Sequence, residues 1–180
     1  MPTCRRPPGT CLDAMTAWDT IRDTVVAEFS DLGDLGQVTQ LVVRLVLASL
    51  LGGLLGLQRE RQGKDAGIRT HMLVAASSAL IVLVPVQMGM EQEGLSRVIQ
   101  GLLAGVGFVC AGAILKLERE EQVHGLTTAA GVWMTAAIGV ACGLGRDLTA
   151  ALSTLLVLGI LALEAPVRRL GLKGKASSED

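Results

Sequence analysis

Five apolar stretches, each about as long as a bilayer is thick, occupy most of this 180-residue chain: residues 38–57, 72–90, 98–117, 126–145 and 148–165. A helix needs about 20 mostly apolar residues to cross the hydrocarbon core. Lipid offers no hydrogen bonds, so a spanning backbone must satisfy its own groups, and a helix does that within one segment. The expected fold class is an all-α membrane protein: five transmembrane helices, short loops and an N-terminal amphipathic helix.

Three regions follow: a leader (1–37), a transmembrane domain (38–165) and a basic tail (166–180) expected to be cytoplasmic. Neither end is long enough for a soluble domain with its own core. In the leader, Met15, Trp18, Ile21, Val25 and Phe29 recur at helical spacing, opposite Asp19 and Asp23. That pattern suits a helix lying on the membrane surface, or equally one capping the bundle. Residues 1–14 hold three prolines, two cysteines and no apolar run of the signal-peptide kind, so translation is expected to start at Met15. Aromatics are 2% of the chain and Tyr is absent. No base-stacking surface is expected, and no nucleic-acid partner.

Basic residues fix the expected orientation. Ten lie between spans one and two, between spans three and four, or in the tail: Arg59, Arg61, Lys64, Arg69, Lys116, Arg119, Arg168, Arg169, Lys173 and Lys175. Only Arg5, Arg6, Arg22, Arg97 and Arg146 lie on the other side, and Arg44 is inside span one. The first connection and the C-terminus are therefore expected in the cytoplasm, with the N-terminus outside.

Small residues recur in the spans: Gly52 and Gly56; Gly101, Gly105 and Gly112; Gly131, Gly139 and Gly143. Such ridges let helices approach closely where water supplies no drive to associate. They are expected to pack helices within the chain or to join two copies as a homodimer. Spans four and five should form a tight hairpin, with Gly145 ending one helix and Asp147 capping the next.

Two polar connections share the expected cytoplasmic side, residues 58–71 and 118–128. From them Arg59, Glu60, Arg69, Thr70 and His71, with Gly125, Leu126, Thr127 and Thr128, are read as one functional surface, Glu60 and Arg69 pairing across the turn. Thr127 and Thr128 are expected to start span four and bond free backbone groups. Arg44, about six residues from the outer end of its span, has two readings: a functional intramembrane charge, or a side chain reaching back ~9 Å to the headgroups. An Arg and the lack of deep carboxylates argue against a Mg²⁺ path, because Mg²⁺ seeks oxygen ligands. No enzyme is expected. There is no phosphate-binding glycine motif, and His71 and Ser78 stand two turns apart on one helix, too far to pair. Cys4, Cys11, Cys110 and Cys142 make no metal pattern, so no metal site or cofactor is expected.

Four segments in order carry a resemblance: Leu-Gly-Gly-Leu-Leu-Gly-Leu-Gln-Arg-Glu at 51–60, Ala-Gly-Ile-Arg-Thr-His at 66–71, Gly-Val-Gly-Phe-Val-Cys-Ala-Gly at 105–112, and Gly-Leu-Thr-Thr-Ala-Ala at 125–130 with Trp133. The chain resembles the MgtC/SapB family of bacterial inner-membrane proteins over about residues 44–163. The resemblance implies a multi-pass inner-membrane domain of five helices. It also implies a link to magnesium homeostasis and low-Mg²⁺ adaptation and, in some pathogens, a virulence role inside macrophages. Family members are described as regulators that bind other membrane proteins, ATP synthase among them. Gln58 stands where the family usually has Glu, and Cys110 where it has Gly. The C-terminal soluble domain of the virulence-type members is expected to be absent. The expected function is a non-enzymatic membrane regulator of ion homeostasis, partnered by another membrane protein within the bilayer. The alternative is a small transporter or channel, for an anion or proton-coupled rather than for Mg²⁺.

Overall fold

The computed structural model describes residues 17–28, 35–115 and 125–163. The chain divides into two units, residues 1–38 and 39–180. The first contains helix α1 (Ala17–Glu28), which places Trp18, Ile21 and Val25 along one stripe. Met15 and Phe29, the outer members of the expected pattern, lie outside the described residues.

The second unit is a bundle of α2 (Leu35–Arg61, from residue 39 on), α3 (Ile68–Gln87), α4 (Gln92–Leu115), α5 (Leu126–Gly143) and α6 (Asp147–Ala162). Four of these are long and apolar enough to cross a membrane. The exception is α6, an apolar helix of 16 residues, or about 24 Å at 1.5 Å per residue. The expected five equal spans are thus four long helices and one shorter apolar helix. At several ends the helices run on into polar sequence, while α3, α5 and α6 stop two or three residues short of the C-terminal edge of their windows. α2 includes Gln58–Arg61, α3 begins at Ile68 rather than 72, and α4 begins six residues before the apolar run. Backbone hydrogen bonding does not stop where the hydrocarbon does.

Three helices end in the same way. The N–H of Gly63 reaches Glu60 O and that of Lys64 reaches Arg59 O; Gly89 and Met90 do the same to Val86 and Pro85, and Gly145 and Arg146 to Cys142 and Ala141. Each glycine has φ near +70°, the left-handed turn that closes a Schellman cap and that a side chain disfavours. The hairpin expected at 144–147 is therefore present. Its second half differs from expectation: Asp147 is the first residue of α6, the cap position is Arg146, and no side chain bonds there.

The centre of the bundle is the pair α3 and α5, which run parallel: Gly131, Gly139 and Gly143 face His71, Ala75 and Ala79 in the same order. Gly139 and Gly143 of α5 lie against Ala75, Ser78 and Ala79 of α3. On the other side, Gly52 and Gly56 of α2 lie against His71, Ala75, Gly67 and Ile68. A Cβ at Gly52 would sit 2.6 Å from His71 O, at Gly56 2.6 Å from Ile68 Cα, and at Gly143 2.6 Å from Ala79 O. These are backbone-to-backbone approaches that only glycine permits. Around them Ala48, Leu51, Leu55, Ala75, Ala79, Ile138, Cys142, Ala150, Val157 and Leu161 form the main core. A second cluster joins Ala66, Cys110, Ala129 and Val132 beside Val74, Val106 and Ile114.

Candidate functional site

A buried polar node closes one end of this core. Arg59, in the last turn of α2, is fully buried. A charge so placed needs hydrogen-bonding partners. Its Nη2 donates to Thr128 Oγ1 at 3.1 Å and its Nη1 to Gln62 Oε1 at 3.2 Å. Gln62 in turn donates from Nε2 to Leu161 O at 3.4 Å, and Gln58, one turn earlier, donates to Leu158 O at 3.3 Å. The end of α2 is thereby bound to the start of α5 and the far end of α6. Gln58, the departure from the family pattern, uses an amide donor that a carboxylate does not have.

Glu60 points the other way. Its Oε2 accepts the Ile68 N–H at 3.0 Å. The first N–H groups of a helix lack intrahelical partners, and a negative charge there is favourable. Gly67, the cap position of α3, has no side chain to offer, so Glu60 supplies the cap from across the turn. This corrects the expected pairing with Arg69: the carboxylate is used by backbone, and Arg69 and Thr70 are exposed.

His71 is also fully buried. Its Nδ1 lies 3.0 Å from Gly67 O. A carbonyl only accepts, so Nδ1 carries the hydrogen and Nε2 is the unprotonated nitrogen of the neutral ring. That Nε2 is buried and, among the described residues, has no hydrogen-bond partner. It faces the Cα of Gly131, where an added Cβ would sit 3.7 Å away. The Arg59 guanidinium lies within electrostatic reach of the ring.

The expected surface is thus split. Arg59, His71 and Thr128 meet in the interior; Glu60, Arg69, Thr70, Leu126 and Thr127 are exposed around them. Thr128 uses its hydroxyl to receive Arg59 rather than to cap its own helix. Gly125 takes the cap position of α5 with φ +89°, and a Cβ there would lie 3.0 Å from Ala113 O of α4. Sequence reasoning overlooked Gln62; its signal was the four-residue spacing from Gln58 along the α6 side. In-span hydroxyls return to the preceding turn: Ser78 to Val74 O at 2.7 Å, Thr135 to Gly131 O at 2.9 Å and Thr154 to Ala150 O at 2.8 Å. Cys110 donates its thiol to Ala129 O at 3.2 Å, joining α4 to α5.

Arg44 serves the opposite end of the bundle. Its Nη1 donates to Gly143 O at 3.0 Å, and the guanidinium lies over Gly145, where a Cβ would come within 2.5 Å of Nη2. A cation on the last carbonyls of a helix is favourable, so Arg44 caps α5 from α2. Neither earlier reading described this role.

The third glycine ridge has a different setting. Among the described residues, Gly101, Gly105 and Gly112 of α4 have nothing within 4 Å of an added Cβ. At 100° per residue, they share one face with Glu93, Arg97, Ala104 and Phe108. That face is exposed throughout, and Phe108 is 82% exposed. Glu93 and Arg97 pair with each other one turn apart at its end.

Long apolar helices, glycine-mediated packing and a polar node closed off from water define a multi-pass helical membrane protein. Residues 45–170 match the model of the MgtC family, and the chain belongs to that family. It is 48% identical to protein SrpB of Synechococcus elongatus over 113 residues, 57% of this chain and 62% of that one. With YhiD of Escherichia coli K12, named as a candidate magnesium transporter, it shares 39% over 131 residues, 67% of this chain and 60% of YhiD. Protein MgtC of Salmonella typhimurium LT2 is 37% identical over 129 residues, 71% of this chain and 54% of that protein. The aligned part thus spans about three fifths or less of these relatives. No solved structure matches.

Proposed function

We propose that this chain is a non-enzymatic regulator in the bacterial inner membrane, tied to magnesium and ion homeostasis, that acts by binding another membrane protein through α4. All five apolar helices cross the bilayer, with the N-terminus outside and the C-terminus in the cytoplasm, as the basic residues direct. The single observation that carries the reading is the open glycine face of α4. The ridges of α2 and α5 are filled by α3, whereas the same kind of ridge on α4 meets nothing among the described residues. Between membrane helices, close packing of small residues replaces the hydrophobic drive available in water. ATP synthase, implied by the family resemblance, is one candidate occupant, and a second copy of the chain is another.

The rival reading is transport, which YhiD's name suggests. Among the described residues no three His, Cys, Asp or Glu side chains come together, and Glu60 is committed to a backbone N–H. That weighs toward a regulator. A photo-crosslinking amino acid at position 108, in native membranes, separates the occupants by product mass. Adducts of the chain with a different membrane protein, lost in Gly105→Leu, support the proposal; adducts of twice the chain mass replace the partner with a second copy. Flux of Mg²⁺, Cl⁻ or H⁺ by the purified protein in liposomes overturns the regulator reading.

A further inference from the structure

The buried ring of His71 has a use that the partner-binding reading leaves unassigned. Its Nδ1 is committed to Gly67 O, and its buried Nε2 has no hydrogen-bond partner among the described residues. The groups that face it, among the described residues, are few. From α2 comes the Arg59 cation, while Glu60 beside it is turned out onto the Ile68 N–H. From α5 come Thr128 and Gly131, neither titratable. From its own helix, Arg69 is exposed. From α4, Cys110 is engaged with Ala129 O. His71 is the fourth residue of α3, so it sits only about 5 Å along the helix from the polar connection. A proton from that side has a short path, and the site offers it a lone pair.

We propose that Nε2 of His71 is a proton-binding site within the membrane domain, and that its occupancy sets how firmly the start of α5 is held to α2 and α3. The step is a proton transfer: an O–H bond of hydronium breaks, the proton takes up the Nε2 lone pair, water is released, and the imidazole becomes an imidazolium. The new N–H then faces Gly131, which presents no acceptor side chain, and the new charge faces Arg59. Both are relieved if the first turns of α5 move away from α3 and admit water. The contact that yields is the 3.1 Å hydrogen bond from Arg59 to Thr128. Gly131 makes the motion sensitive to the ring, because no side chain separates it from Nε2.

The chain has two histidines and two tryptophans, which makes the test direct. The full chain, ¹⁵N-labelled at histidine and held in phospholipid nanodiscs, is titrated by NMR, with His124→Gln assigning the signals. His71 is expected as the Nδ1–H tautomer near neutral pH, converting to the doubly protonated ring as pH falls while the helices stay folded. In a Trp18→Phe background, Trp133, two residues beyond Gly131, is expected to change fluorescence over the same interval. That change is expected to be lost in His71→Gln and kept in His124→Gln. A ring that stays in one state throughout the folded range, or is found as the Nε2–H tautomer, overturns the proposal without any change at His71. A fluorescence step that persists in His71→Gln overturns the coupling to α5.

Discussion

The α3–α5 seam and the outer face of α4 are written in nearly the same residues and do opposite things. On α5, Gly139 and Gly143 bring two backbones within the reach of a single methyl group. On α4, Gly101, Gly105 and Gly112 lie open. α5 is the most buried of the long apolar helices and α4 the least. Glycine spacing therefore records that a helix is built for close approach. It does not record what approaches. The seam is where the chain's own backbones meet; on the proposed reading, the α4 face is where a change is silent for the fold and loud for function.

That contrast breaks most easily at Gly143. Gly143→Leu places a branched side chain on the Ala79 backbone and should cost about 3 kcal/mol or more, read as loss of the monodisperse species in detergent. If it were tolerated, the seam would not be what holds the bundle. Arg59→Ala should cost about 2–3 kcal/mol, since Thr128 and Gln62 lose their donor inside the protein; thermal unfolding followed by helicity checks it. Glu60→Ala should cost about 1 kcal/mol through the lost N-terminal cap of α3, and amide exchange at Ile68 should rise well above that at the α5 start. The smallest expected effect on stability is Gly105→Ala, within about 1 kcal/mol of the parent because nothing lies near the new methyl. Its larger relative Gly105→Leu should unfold at the parent's temperature yet fail to complement. Full complementation would detach α4 from function.

Much of this was readable in the residues. Apolar windows locate the apolar part of each helix of the bundle, because transfer to lipid is a property of composition. The first polar connection was read as part of one functional surface, and Arg59 and His71 of that surface do meet in the node. Helix ends were displaced, because capping depends on partners such as Glu60 that come from another segment. The expected Glu60–Arg69 pair failed for the same reason: opposite charges attract in a sequence, but an uncapped helix start was the nearer claimant. Arg44 was judged by its depth in one span, when its role depends on the carbonyl end of α5 ninety-nine residues away. The split of the ridges into filled and open was invisible, since one helix's periodicity is silent about its neighbours.

The two connections opposite the polar node are very short: residues 88–91 between α3 and α4, and 144–146 between α5 and α6. Most of that length is already consumed by the helix ends, with Gly89 and Gly145 in the left-handed turn and Arg44 clasped over the second. Exposed, slack chain is what proteases cut and what tolerates insertions. These two links are largely exposed but have no slack. A protease, an epitope tag or a spliced-in reporter should find no purchase on them, and any strategy that maps this protein by interrupting it will have to use other ground.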